Sequence, residues 1–152
     1  MKLLRMLSAT LGLMALFASC EMDLRHAPVP VQKSFDSLFP EAHHVRWEKE
    51  MTLYKAEFHN ASHEMEAWFE KDGTWKRSKT ELLLSEVPDT VLQATKEFSK
   101  GAWEIDDIDY YEQPAGIQAF YRIEFDKEHS ERERILRLRP DGTIITDLNE
   151  LL

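Results

Sequence analysis

Val31, Phe35, Leu38 and Phe39 recur at i, i+4, i+7 and i+8 between Pro30 and Pro40. That spacing gathers them on one face of a helix that starts after the first proline and stops before the second. Beyond it the period changes to two. Val45 and Trp47 alternate with His44, Arg46 and Glu48; Tyr54, Ala56 and Phe58 with Lys55 and Glu57; Met65, Ala67 and Phe69 with Glu64, Glu66 and Glu70. Each run predicts a strand with one buried and one wet face. Asp72-Gly73 supplies a tight turn leading into a further strand over residues 74–79.

The second half repeats the first. Pro88 opens a stretch in which Val91, Ala94 or Thr95, and Phe98 recur at helical spacing until Gly101. Strand patterns follow over residues 105–111, over 119–125 with Tyr121, Ile123 and Phe125 on one face, and over 134–139 with Leu136 and Leu138 inward; another follows Asp141-Gly142 over 143–147. Tyr54-Lys55-Ala56-Glu57-Phe58 aligns with Tyr121-Arg122-Ile123-Glu124-Phe125 at an offset of 67 residues, and Asp72-Gly73-Thr74 with Asp141-Gly142-Thr143 at 69. The expected fold is therefore α+β: two tandem repeats, residues 30–84 and 85–152, each a helix plus a four-stranded antiparallel sheet. A repeat of about 60 residues buries only about 60% of its unfolded surface. The two are expected to pack together, with the apolar linker 81–85 in the contact.

The N-terminus carries a different signal. Lys2 and Arg5 precede an apolar run over residues 6–18 that contains no acidic group, and Phe17-Ala18-Ser19-Cys20 closes it. This predicts a secretory signal peptide over residues 1–19. The run falls short of the ~20 residues that span a bilayer, which makes a permanent transmembrane helix the weaker alternative. Small residues before a lone cysteine resemble the bacterial lipobox, so Cys20 is the expected lipid-attachment site; the alternative is an ordinary signal peptide with Cys20 as a small apolar residue. Acyl chains contribute about 0.8 kcal/mol per buried methylene, enough for several chains to hold a domain at a membrane. Residues 20–29, with Pro28, form the tether. The expected location is the bacterial cell envelope, periplasmic or outer-membrane associated.

Composition narrows the function classes. The chain has 152 residues, 43% of them hydrophobic, with 28 acidic against 19 basic side chains and a formal net charge of −9. It can build a core, and its acidity argues against a nucleic-acid partner. One cysteine excludes an internal disulfide framework.

Phe39-Pro40-x-Ala42 followed by Val45-x-Trp47, the Tyr54-x-Ala56-Glu57-Phe58 strand, and Trp68-Phe69-x-x-Asp72-Gly73-x-Trp75 together carry a resemblance, continued by Val87-Pro88 and by Tyr121-x-Ile123-Glu124-Phe125 before Asp141-Gly142. The chain resembles the PepSY-like, beta-lactamase-inhibitor-like family of secreted Bacteroidetes proteins over nearly all its length beyond the tether. The resemblance implies helices on one side of a sheet, an envelope location and a binding or inhibitory role. Its motifs are core aromatics and turn glycines, so they speak for fold rather than activity.

Candidate chemistry is sparse. No Gly-x-Ser-x-Gly elbow, phosphate-binding glycine loop or His-Glu-x-x-His is present, and the chain is read as a non-enzyme without a cofactor. His59 and His63, with His43-His44, are candidate metal ligands, but Asn60-Ala61-Ser62 reads as a hairpin that favours a solvated pair. Glu104, Asp106, Asp107, Asp109 and Glu112 offer oxygen ligands for calcium yet alternate along a strand, so no metal site is expected. The informative oddity is aromatic: Trp68 lies between Glu66 and Glu70, and Phe120 opposite Tyr121 and Ile123, on faces that should be wet. One reading is cross-strand pairing with charged stems over the rings. The other is a surface for an envelope protein or peptide, with Trp68 and Phe120 as anchors and Trp75, Tyr111 (or Tyr110) and Arg46 as lesser members. The alternative function is a small-molecule or metal-ion carrier that uses a cleft between the repeats.

Overall fold

The computed structural model describes residues 26–96, 98–100, 103–128 and 134–145. The expected signal peptide and Cys20 lie outside the described residues. Helix α1 (Val29–Leu38) starts directly after Pro28, with Pro30 in its first turn where a missing N–H is tolerated. Four strands follow: β1 (His43–Glu50), β2 (Leu53–Asn60), β3 (His63–Phe69) and β4 (Trp75–Glu81). A 3-10 turn at Leu84–Glu86 leads to α2 (Asp89–Thr95), then β5 (Glu104–Glu112), β6 (Phe120–Asp126) and β7 (Arg134–Leu138).

All seven strands form one antiparallel sheet in chain order. Two separate four-stranded sheets are not formed. Strand β4 pairs with β5 through Ser78↔Glu112, Lys79↔Tyr111, Thr80↔Tyr110 and Glu81↔Asp109, so the halves join edge to edge rather than across a cleft. Of the expected eighth strand, Ile144 makes an isolated bridge to Leu138, and residues 146–147 lie outside the described set.

The register carries one face through the whole sheet. Ala56, Ala67 and Ser78 share a row, as do Thr80, Tyr110, Tyr121 and Leu138. This is the helix-covered face. Val31 and Phe35 of α1 pack on Tyr54, Ala56, Phe58, Met65, Ala67 and Phe69. Val87, just before α2, and Val91, within it, pack on Ile108, Tyr121, Ile123, Phe125, Leu136 and Leu138. Trp47 and Trp103 are half-buried against these two clusters. The α2 helix stops at Thr95, short of Gly101, but Phe98 still reaches Phe125 at 6.0 Å between ring centres. In the linker only Leu82 packs; Leu83 and Leu84 are 69% and 55% exposed, which corrects the expectation that the whole segment is in contact.

Two matching turns lock the helices to the sheet. In each, an Asp carboxylate accepts the backbone N–H two residues on, Thr74 to Asp72 and Thr143 to Asp141, both at 2.9 Å. Gly73 and Gly142 follow with φ of 93° and 85°. A Cβ on Gly73 would stand 2.6 Å from the Pro30 carbonyl oxygen, and one on Gly142 2.6 Å from that of Thr90. Both glycines are thus required twice, by conformation and by contact with the first turn of a helix. Gly73→Ala and Gly142→Ala are each expected to cost about 2 kcal/mol or more. Urea unfolding midpoints of the two variants against the native chain check this.

Candidate functional site

The face opposite the helices is the candidate site, and its residues follow from the strand register. One row crosses six strands as Arg46, Glu57, Glu66, Lys79, Tyr111 and Phe120; a neighbouring row runs Glu48, Lys55, Trp68 and Arg77. Period-two alternation places every one of these side chains away from the helices.

The charges neutralise one another. Lys55 is buried among three carboxylates, with Glu57 at 2.7 Å and Glu48 and Glu50 each at 3.1 Å. Burial works against its charge, but the hydrogen bonds to Glu57, Glu48 and Glu50 together outweigh that and hold its pKa well above the ordinary lysine range. Glu57 is held below the usual carboxylate range chiefly by its bond to Lys55, and it also binds Arg46. Lys79 reaches Glu66 at 2.8 Å.

Further along, Asp109 is 2% exposed. Its Oδ2 lies 3.3 Å from Arg122, while Oδ1 stands 3.8 Å from Lys79 and accepts no hydrogen bond from the described residues. Burial dominates the two cations and pushes the Asp109 carboxyl up to about 6. Lys79 and Arg122 each hold a second carboxylate, Glu66 and Glu124, and their pKa values remain raised despite burial.

The aromatic residues lie on this face, as the alternation predicts, but beneath a cover. Trp68 is 5% exposed: Arg77 lies over its ring at 4.4 Å, and its indole N–H donates to Glu50 at 2.9 Å. Phe120 is 7% exposed and stacks on Tyr111 with ring centres 4.7 Å apart and planes 2° from parallel. Neither is an open anchor. The packing is cross-strand pairing with a charged-stem cover, the first of the two readings of these rings. Arg46 remains exposed and Tyr111 half-buried on this face.

Trp75 is corrected outright. A bulge puts Phe69 opposite Trp75 but Trp68 opposite Arg77, so one extra residue, Lys76, turns Trp75 to the helix side, where it packs on the α1 cluster. Tyr110 likewise faces the helices, against Tyr121 at 4.8 Å. The acidic run of β5 does not converge: Asp107 accepts the N–H of Ile108, Asp109 belongs to the cation network, and among the described residues no group of three His, Cys, Asp or Glu is set to hold a metal ion.

A groove of about 280 Å³ opens on this face between β1 and β4, lined by His44, Arg46, Glu57, His59, Glu64, Glu66, Lys79 and Glu81 with parts of Phe58 and Met65. It belongs to the first half alone. Sequence reasoning did not find it, because its walls come from four strands whose pairing a linear pattern does not reveal.

No family model and no curated protein matches the chain. Solved structures do. A DUF2874 family protein from Bacteroides ovatus is 25% identical with a TM-score of 0.74, covering 80% of this chain and 86% of that one. A candidate periplasmic protein from Bacteroides eggerthii is 25% identical at a TM-score of 0.71, covering 79% and 86%. A BLIP-like protein from Bacteroides fragilis is 24% identical at 0.70, covering 79% and 84%. The chain thus shares the α+β fold of these Bacteroides proteins.

The buried carboxyl makes stability depend on pH. Asp109 binds its proton more readily in the fold than unfolded, so its contribution to stability is full below 3.8 and is lost as pH rises through about 6. Asp109→Asn is expected to remove that decline, leaving the native chain about 1–3 kcal/mol less stable relative to the variant at neutral pH than at pH 4. Urea midpoints of both proteins measured from pH 4 to 7 check the sign.

Proposed function

We propose that this is an exported, non-catalytic binding protein that captures another extracytoplasmic protein or peptide across the open face of its sheet. The observation that carries the reading is the uncovered face itself, with exposed Arg46 at one end of a row of interlocked charges and aromatics. Interfaces favour such a surface: arginine is among the side chains that dominate contact energies, and charged groups set partner and register. A BLIP-like structural neighbour fits a protein-binding role, and a candidate periplasmic one fits export. We read the two halves as copies of one unit, on the strength of the matching glycine turns and helix contacts. The chain is further read as a lipoprotein of the cell envelope, anchored through Cys20. Among the described residues no helix is long and apolar enough to cross a membrane.

Binding is tested by charge reversal rather than by truncating the covered rings, which would also loosen the fold. Arg46→Glu combined with Glu66→Lys alters the open face, and Lys33→Glu combined with Asp36→Lys alters the exposed side of α1. In a cross-linked pull-down from envelope extract, the native chain and the helix variant are expected to capture the same protein. The open-face variant is expected to lose it. Capture of the same protein by all three would sink the reading. For the anchor, Cys20→Ala is expected to move the protein from the membrane to the soluble fraction of the envelope; retention in the membrane fraction would exclude lipidation at Cys20 as its anchor.

A further inference from the structure

Strand β1 begins with a bulge. His43 lies opposite His59 and Arg46 opposite Glu57, so β1 carries one residue more than β2 between these pairs. Within it His44 takes a φ of 55°, the left-handed region. That conformation is ordinarily filled by glycine at such bulges and costs a side chain about 1–2 kcal/mol. Its effect is to bring onto one side two neighbours in sequence that a regular strand would send to opposite faces.

Three imidazoles meet there. Ring centres are 5.0 Å apart for His43 and His44, 5.7 Å for His43 and His59, and 5.7 Å for His44 and His59. A Zn–N bond of about 2.0 Å places the ring centres of tetrahedral imidazole ligands about 5.2 Å apart. The triangle therefore has the size of a three-histidine coordination shell. His43 directs Nδ1 at the Glu41 carbonyl at 3.4 Å, which as a donor leaves Nε2 for a ligand, the usual outer-shell arrangement of a metal-binding histidine. His63 takes no part: it is tied to Glu86 at 2.8 Å.

The surroundings suit a cation. His44 and His59 line the groove together with Glu57, Glu64, Glu66 and Glu81, against two basic residues, Arg46 and Lys79. Glu64 is the cross-strand partner of His59. The ring nitrogens are not closed on a single point as they stand, and no three donors among the described residues are. Strand pairing and the bulge already bring the three rings together, however. Closure would come from rotation of the side chains, of which His43 and His44 are exposed.

The geometry points to a binding site for a divalent transition cation of the imidazole-preferring kind, Zn²⁺ above all, held by His43, His44 and His59 with a fourth position open to water or to Glu64. The site does not rest on the partner-binding reading, and either can fail without the other.

The test is equilibrium dialysis of the purified full chain against Zn²⁺ alone at neutral pH, with thermal unfolding followed in parallel. His44→Gly is the informative variant, because glycine suits the bulge and removes only the ligand. One ion per chain is expected at micromolar Zn²⁺, with a raised unfolding temperature. Affinity is expected to fall at least about tenfold in His44→Gly and in His59→Ala and to be unchanged in His63→Ala. Absence of stoichiometric binding overturns the site, as does binding that His44→Gly leaves intact while His44→Gly remains as folded as the native chain.

Discussion

Seven strands share one sheet, and helices cover only one side of it. Each strand must therefore send its apolar residues one way and its charges the other, in a register shared with its neighbours. Slipping any pair by one residue would put Phe58, Phe69 or Ile123 into water and a lysine or glutamate under a helix. The antiparallel meander makes this tractable, because every strand pairs with the next one along the chain.

The two halves meet that constraint with different materials. Around α1 the core is aromatic: Phe35 touches Phe39, Trp47, Phe58 and Phe69, with ring centres 4.9 to 6.2 Å apart. Around α2 it is largely aliphatic, with Ile123, Leu136, Leu138 and Val91 fully buried beside Phe125. The glycine turns dock each helix in the same manner, which keeps two dissimilar cores under one geometry.

The uncovered face faces the opposite problem, since its residues must be soluble without being isolated. Lys55 among Glu48, Glu50 and Glu57, and Asp109 between Lys79 and Arg122, bind charge to charge across strands. With Lys55 and Asp109 themselves buried, the lost hydration offsets much of the Coulomb attraction, so such pairs are not mainly a source of stability. Their consequence is order: the side chains are held in defined positions over Trp68 and beside Phe120. An ordered polar surface loses less side-chain freedom on docking than a loose one, which favours recognition.

Much of this was legible in the residues. The alternation of Tyr54, Ala56 and Phe58 with Lys55 and Glu57 assigns faces directly, and it places Trp68 and Phe120 away from the helices. Pro30 and Pro88 mark the helix starts within two residues, but α1 begins at Val29, directly after Pro28, and Ala27 is buried in its core, so the end of the expected tether belongs to the fold. What escaped comes from three sources. Trp75 turned inward because of an extra residue at Lys76, and His43 joined His44 because of an extra residue in β1; a bulge is a mismatch between two strands, and a periodic pattern on one strand carries no trace of it. Trp68 looked exposed because its cover, Arg77 and Glu50, comes from two other strands. The halves looked like separate sheets because β4 and β5, which join them, are separated by a helix in the chain. Local chemistry thus decides which side of a strand a residue takes, since φ/ψ and period are properties of neighbours along the backbone. Tertiary structure alone decides what lies above that residue, since its neighbours in space are set by pairing between strands.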